Sequence, residues 1–330
     1  MSKLTNYILS SSKTLAMPIA VYPGADITGA TVSAIVTDPE KQFQAQYEIH
    51  KRYETWIVQS AMDLSVEAEA FGCEIQLADN EIPTVRGRLV TDKEQIDALA
   101  IPAPGEKRTK VYLDTVRLLT GLETKPFVLA GMIGPFSLAG RLFGVSESLE
   151  LTMTEPDTMH MLIEKCTTFL TAYAEGFKQA GANGVLIAEP TAGLLSPRSL
   201  GEFSSAYIKR IHEAVNDDSF SLILHNCAAR INHLPAVLES GVSIYHFGSP
   251  MDLPAALKSV PETTVLCGNL DPAGIFLNSS EKEISNHTES LLRATGNHKN
   301  FVISSGCDVP PGVTMNKLDA FYKAVNNFEK

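Results

Sequence analysis

Eight short apolar runs punctuate this chain, and helical patterns lie between many of them. They are MPIAVY (residues 17–22), TWIVQS (55–60), PFVLAGM (126–132), GVLIAE (184–189), SLILHN (221–226), SIYHFG (243–248), TTVLCGN (263–269) and FVISSG (301–306). Most are apolar at successive positions rather than at alternate ones, as expected of strands covered on both faces in a parallel sheet. Loops with Gly or Pro leave the runs, and helical stretches follow, such as DTMHMLIEKCTTFLTAYAEGFKQAG before GVLIAE. That stretch has a capping region at EPD and a stop at Gly181. TWIVQS is open to a second reading, as a continuation of the helix before it. Eight strands alternating with helices predict an α/β fold, a (β/α)8 TIM barrel.

A chain of 330 residues, 44% hydrophobic, is ordinary for one such barrel and fills a large core. We expect a single domain over residues 1–330, with 1–15 a poorly specified N-terminal segment. One stretch departs from the pattern. CEIQLADNEIPTVRGRLV (73–90) alternates apolar and polar residues about an Asp-Asn turn, and reads as a β-hairpin excursion at one end of the barrel. GVLIAEPTAGLLSPRSL leaves its strand through another elaborated loop. The net charge of −11 argues against a nucleic-acid partner, while leaving room for a local basic pocket. No apolar run reaches the ~18–20 residues of a membrane helix. MSKLTNYILSSSK lacks the apolar core and cleavage site of a signal peptide, so a cytoplasmic location without membrane partner is expected. Five cysteines in a chain this long are not a disulfide framework, and in a reducing compartment they stay thiols.

In a TIM barrel the chemistry forms at the C-terminal ends of the strands. The runs deliver Tyr22, then Asp63, then GMIGPF, Glu189, His225 with Asn226 and Cys227, His246, Asn269 with Asp271, and Cys307 with Asp308. His225 and Cys227 are two apart, so on an extended strand their side chains share a face. Cys307 follows the last run, which a closed barrel brings near. One imidazole and two thiols form a soft set that suits zinc, and three ligands leave one coordination position open. The alternative is that both cysteines are small buried hydrophobes and the histidine a satisfied core imidazole.

Zinc with two thiolates and a neutral imidazole is formally neutral. Such a site favours an incoming thiol losing its proton and remaining nucleophilic, which suits alkyl transfer to sulfur better than hydrolysis. Glu189, ending a buried strand, is a candidate fourth ligand or general base. Asp63 and Asp271 either position a substrate or cap the helices that follow. His246 is a core or supporting histidine, or a direct participant. Cys73, Cys166 and Cys267 have no ligand partners at useful spacing and read as structural. Arg86 and Arg88 on the hairpin are solvated or meet an acidic partner, and Asn226 points away from the ligands.

GNLDP (268–272), LILHNC, FVISSGCDVPPGVTMNKLDAF and SAMDLSVEAEAFG (60–72) resemble the uroporphyrinogen decarboxylase superfamily, from about residue 15 to the end. Within it, H-x-C…C resembles the zinc signature of the corrinoid-dependent methyltransferases, which include methylcobamide:coenzyme M methyltransferases. The resemblance implies a (β/α)8 barrel with zinc on His225, Cys227 and Cys307. It also implies a methylated corrinoid as co-substrate, on a corrinoid protein or as free methylcobalamin, and a small thiol acceptor such as coenzyme M. Tyr22, Asn269 and His246 are then expected at the cofactor, and Glu189, Asp63 and Asp271 at the chemistry. Decarboxylases of the superfamily carry an arginine-bearing stretch near the first strand. Here that region reads PIAVYPGADITGA, with no arginine. Other readings are transfer in the reverse direction onto Co(I), methyl transfer to tetrahydrofolate, a metal-free decarboxylase, and a non-catalytic binding protein.

Overall fold

The computed structural model describes residues 1–296 and 298–328. Its strands in chain order are β1 (Ile57–Gln59), β2 (Glu74–Gln76), β3 (Thr84–Arg86), β4 (Phe127–Ile133), β5 (Gly184–Ala188), β6 (Ser221–Asn226), β7 (Ile244–Phe247), β8 (Val265–Leu270) and β9 (Phe301–Ser305). Seven of them form one curled parallel sheet in the order β1-β4-β5-β6-β7-β8-β9, with β2 and β3 apart as an antiparallel pair. TWIVQS is therefore a strand, although a short one. β5, β6, β7 and β9 are buried at every position, which is why their sequence reads as unbroken apolar runs.

The first run departs from expectation. MPIAVY forms no ladder strand; only Ala16 bridges to Ile303 of β9. Pro18 has no N–H to give a ladder. Main-chain bonds are sparse, Met17 N to Ile303 O at 2.9 Å and Val309 N to Ile19 O at 2.8 Å, and side chains meet the rest: Gln59 donates to Pro18 O at 2.9 Å, Trp56 to Ala16 O at 2.8 Å and Ser304 to Met17 O at 2.5 Å. The segment thus lies between β1 and β9, where an eighth strand would lie.

The core has two parts. One lies between the sheet and the surrounding helices. The other includes Met17, Ile19, Ile57, Leu129, Leu186, Ile223, Ile244, Val265, Cys267 and Val302, one or two from each element around the sheet. These alternate with the outward-packed residues, as the two-residue strand period requires. Leu4 and Ile8 join this second cluster. They stand four apart on the helix Lys3–Ser10, capped by Ser2. Residues 1–15 are therefore better specified than expected: Lys3 N bonds Asp218 O at 2.8 Å and Ser2 bonds Ser221 at 2.6 Å, both at the start of β6.

The hairpin exists, with Ile75 opposite Val85, but each strand has three residues and the connection is longer than a tight turn. Asp79 in that connection accepts from Val32 N at 2.8 Å, and Leu89 N reaches Leu142 O at 2.8 Å, so the excursion is tied to two helices. The long helix runs Pro156–Gln179, with proline in its first turn and Gly181 at φ +95° just past its end. No helix among the described residues is long and apolar enough to cross a membrane.

Candidate metal centre

β6 ends at Asn226, so Cys227 lies one residue past the strand rather than on it. The Asn226 side chain turns away and accepts from Ala229 N at 3.0 Å, closing the turn that carries Cys227. Cys307 stands two residues past β9. The ligand atoms of His225, Cys227 and Cys307 all lie within 4.8 Å of one another. Gly248 is packed against the Cys227 backbone: a Cβ there would sit 2.0 Å from the Cys227 carbonyl oxygen. Gly248→Ala must push that turn aside, costing roughly 1–3 kcal/mol of overpacking. We expect a folded protein in which the two thiols no longer meet, read as slower disulfide formation between them under mild oxidation.

The protonation of His225 follows from its neighbours. Ser304 donates its hydroxyl hydrogen to Met17 O, so it accepts from His246 Nε2 at 2.7 Å. His246 Nδ1 is then unprotonated and accepts from His225 Nδ1 at 2.8 Å. The His246 carbonyl lies 3.3 Å from the same Nδ1. This leaves His225 Nε2 with its lone pair, buried and without a hydrogen-bond partner among the described residues. Burial and the neighbouring His225 hold His246 far below the usual histidine range, so it stays neutral as this relay requires. The two thiols lie within 4.8 Å of each other. Their mutual influence lowers Cys227 and, with burial, pushes Cys307 up to about 12, so one thiolate is favoured before the other.

An orphaned soft nitrogen facing two thiols fits a zinc-type cation. The donor set, the oriented imidazole and its hydrogen-bonded support together make a candidate metal centre. Ser304 and the Met17 carbonyl were not foreseen. Only the inward position of Ser304, two residues before Gly306 in an apolar run, hints at its role.

Glu189 is fully buried but does not join the ligand cluster. Its carboxylate accepts from Phe136 N at 2.9 Å, from Ser137 N at 3.0 Å and from the Ser137 hydroxyl at 2.6 Å. It thus caps, from one residue past β5, the helix Pro135–Phe143 and stands outside the three-residue ligand cluster. Burial pushes its carboxyl up to about 7 against the pull of those donors. Asp271 caps the turn after β8 through Ala273 N and Gly274 N. Asn269 donates to Gly248 O at 2.9 Å and Met251 O at 2.7 Å, holding the loop against which Cys227 packs. Tyr22 is buried, with its hydroxyl on Met62 O at 3.1 Å.

Asp63 is paired with Arg108, which the sequence reading overlooked. Asp63 also accepts from the Ser65 amide at 2.9 Å and hydroxyl at 2.6 Å, while Arg108 donates to Glu69 at 2.6 Å and Ser65 at 2.8 Å. Glu67 is buried beside this network, and burial pushes its carboxyl up to about 8. Asp308, next to Cys307, has both oxygens buried and no hydrogen-bond partner among the described residues. Arg86 pairs loosely with Glu74 at 3.7 Å, and Arg88 with Glu147 at 3.3 Å, all of them exposed.

The family model of uroporphyrinogen decarboxylase (URO-D) matches residues 16–328. Methylcobamide:CoM methyltransferase MtbA of Methanosarcina acetivorans is 26% identical over 276 residues, covering 82% of this chain and 80% of its own. The uroporphyrinogen decarboxylase of Coxiella burnetii is also 26% identical, over 306 residues, covering 89% of this chain and 83% of its own. Among solved structures, a methyltransferase from Methanosarcina mazei superposes with a TM-score of 0.87 over 98% of this chain and 97% of that one, at 21% identity. A B12-independent methionine synthase from Shewanella shares the fold more distantly, with a TM-score of 0.57 at 13% identity over 96% of this chain and 95% of that one.

Proposed function

This chain belongs to the uroporphyrinogen decarboxylase family, and from that premise we propose that it is a zinc-dependent methyltransferase moving a methyl group from the cobalt of a corrinoid to a thiol. The observation that carries the reading is the free, buried Nε2 of His225 beside two thiols. His225, Cys227 and Cys307 would hold the metal. Zinc bound there acidifies an incoming thiol and keeps it nucleophilic at neutral pH.

The chain's own residues do the rest. The Met17–Ser304–His246 relay fixes the His225 tautomer and aims Nε2 at the cation. Asn269 and Gly248 hold the Cys227 turn in place. Cys227 and Cys307 would each bring a thiolate to the metal, and this balance of charge would leave an acceptor sulfur electron-rich enough to take the methyl group, the cobalt of the co-substrate keeping the bonding pair. The relatives named methylcobamide:CoM methyltransferases support the corrinoid as donor and a small thiol such as coenzyme M as acceptor. No arginine stands in the stretch after the first run, which favours this reading over a decarboxylase. A partner corrinoid protein, or free methylcobalamin, would dock at the mouth.

Zinc content together with methylcobalamin-dependent methylation of thiols tests the proposal. A folded protein that binds no zinc yet methylates thiols would sink it. A finer check addresses the relay. His246→Ala leaves all three ligands in place and is expected to lower zinc affinity ~10–100-fold, the usual cost of losing an outer hydrogen bond to a ligating histidine. Chelator competition reads this directly, and an unchanged affinity would remove the relay from the account.

A further inference from the structure

The β6 ladder stops at Asn226, one residue short of Cys227, so the turn that carries this thiol depends on what packs behind it. Part of that backing is the loop leaving β5. Gly193 of this loop lies so close that an added Cβ would stand 2.6 Å from Ala228 Cβ and 2.7 Å from Asn226 Oδ1, the atom that closes the Cys227 turn. Glu189, at the start of the same loop, donates its amide to the His225 carbonyl at 2.8 Å. One loop therefore bears on His225 and on the turn of Cys227.

The loop is fixed in turn from outside the sheet. The Ser137 hydroxyl donates to the Glu189 carboxylate at 2.6 Å and accepts from Thr191 N at 3.1 Å. Ser137 belongs to the first turn of the helix Pro135–Phe143, and the Phe136 and Ser137 amides of that turn also bond Glu189. Gly134, just before the helix, has no room for a side chain, since a Cβ would overlap Glu189 Cγ. At the other end of the loop His233 donates from Nε2 to Leu195 O at 3.1 Å, while its Nδ1 accepts from Arg230 N at 3.1 Å, beyond the Cys227 turn. Ser137 is 1% and Glu189 0% exposed, so water does not replace a bond lost here. The arrangement goes beyond a helix cap. The Glu189 oxygens already serve both amides, and the bond from Thr191 to Ser137 adds nothing to the helix. Its effect falls on the loop and, through Gly193, on the Cys227 turn.

We infer that Ser137 is a positioning residue for the metal centre: with Glu189 it seats the loop over residues 189–195 so that Cys227 stays within reach of His225 and Cys307. This rests on the reading of that centre as the site of the chemistry and names a support for it outside the ligand set. The test is Ser137→Ala in the full chain, which removes the link to Thr191 and leaves both amide bonds to Glu189. Ser280→Ala is the control for a lost capping hydroxyl, on the helix Glu281–Thr295, which packs on the helix Met315–Asn326. Zinc affinity is read by chelator competition. In the metal-free chain, the rate at which hydrogen peroxide joins Cys227 to Cys307 as a disulfide is followed by mass spectrometry. Ser137→Ala is expected to lower zinc affinity ~3–10-fold, short of the ~10–100-fold for a group that touches a ligand itself, and to slow the disulfide. Ser280→Ala should change neither, although both variants lose stability. The inference is overturned if either readout is unchanged in Ser137→Ala, or if Ser280→Ala moves them equally. A wild-type chain that binds no zinc would remove the methyltransferase reading instead, and the disulfide rate alone would then decide the role of Ser137.

Discussion

Cys307→Ala, and separately Cys227→Ala, should leave a folded chain that no longer retains zinc and no longer transfers methyl groups. Each removes one of three donors whose atoms converge within 4.8 Å. The loss in metal affinity should exceed the ~10–100-fold typical of an outer-shell change, since a ligand itself is gone. The fold has reason to survive. Both cysteines lie past the ends of their strands, and both keep some exposure, unlike Cys166 and Cys267 in the core. Metal analysis after dialysis and a methylcobalamin assay read the outcome. Retention of zinc and of transfer by either variant would remove that cysteine from the centre.

The second large effect concerns stability. Arg108→Ala is expected to destabilise the protein by about 3–5 kcal/mol, the cost of leaving a buried charge without its partner. The Arg108 and Asp63 side chains are 7% and 0% exposed, so water cannot replace the lost guanidinium. Glu69 and Ser65 lose a donor in the same step. Equilibrium denaturation measures the change. Replacing both Arg108 and Asp63 by apolar residues of similar volume should cost far less, because no charge is then stranded. A single-variant loss under ~1 kcal/mol would show that the pair is better hydrated than its burial implies.

These two effects differ in how far they could be foreseen. The three metal-type residues were visible as types at the ends of apolar runs, because a parallel sheet buried on both faces writes its strands as continuous hydrophobic sequence. Where such a run stops, a His or Cys stands out. The Asp63–Arg108 pair left no such trace. The arginine belongs to a segment between elements, far along the chain from Asp63, and only folding sets them against each other.

Glu189 shows the same limit in another way. A carboxylate closing a buried strand looked like a ligand, since the amides of the helix Pro135–Phe143 are not readable as its partners from sequence. The opening run was readable as extended but not as irregular, although Pro18 carried the reason. The helix Lys3–Ser10 had a signal in Leu4 and Ile8, but too short a one to say what they would cover.

Local sequence set the barrel's strand and helix alternation, the hairpin, and the kinds of candidate ligand at the strand ends. Each is set by local periodicity or by residue chemistry, which need no knowledge of neighbours in space. Which nitrogen of His225 is free, which acids are paired and which one stands alone emerge from folding. Proton positions and buried charges depend on groups brought together across the sheet, such as Met17, Ser304, His246 and His225. No single segment of chain carries that information.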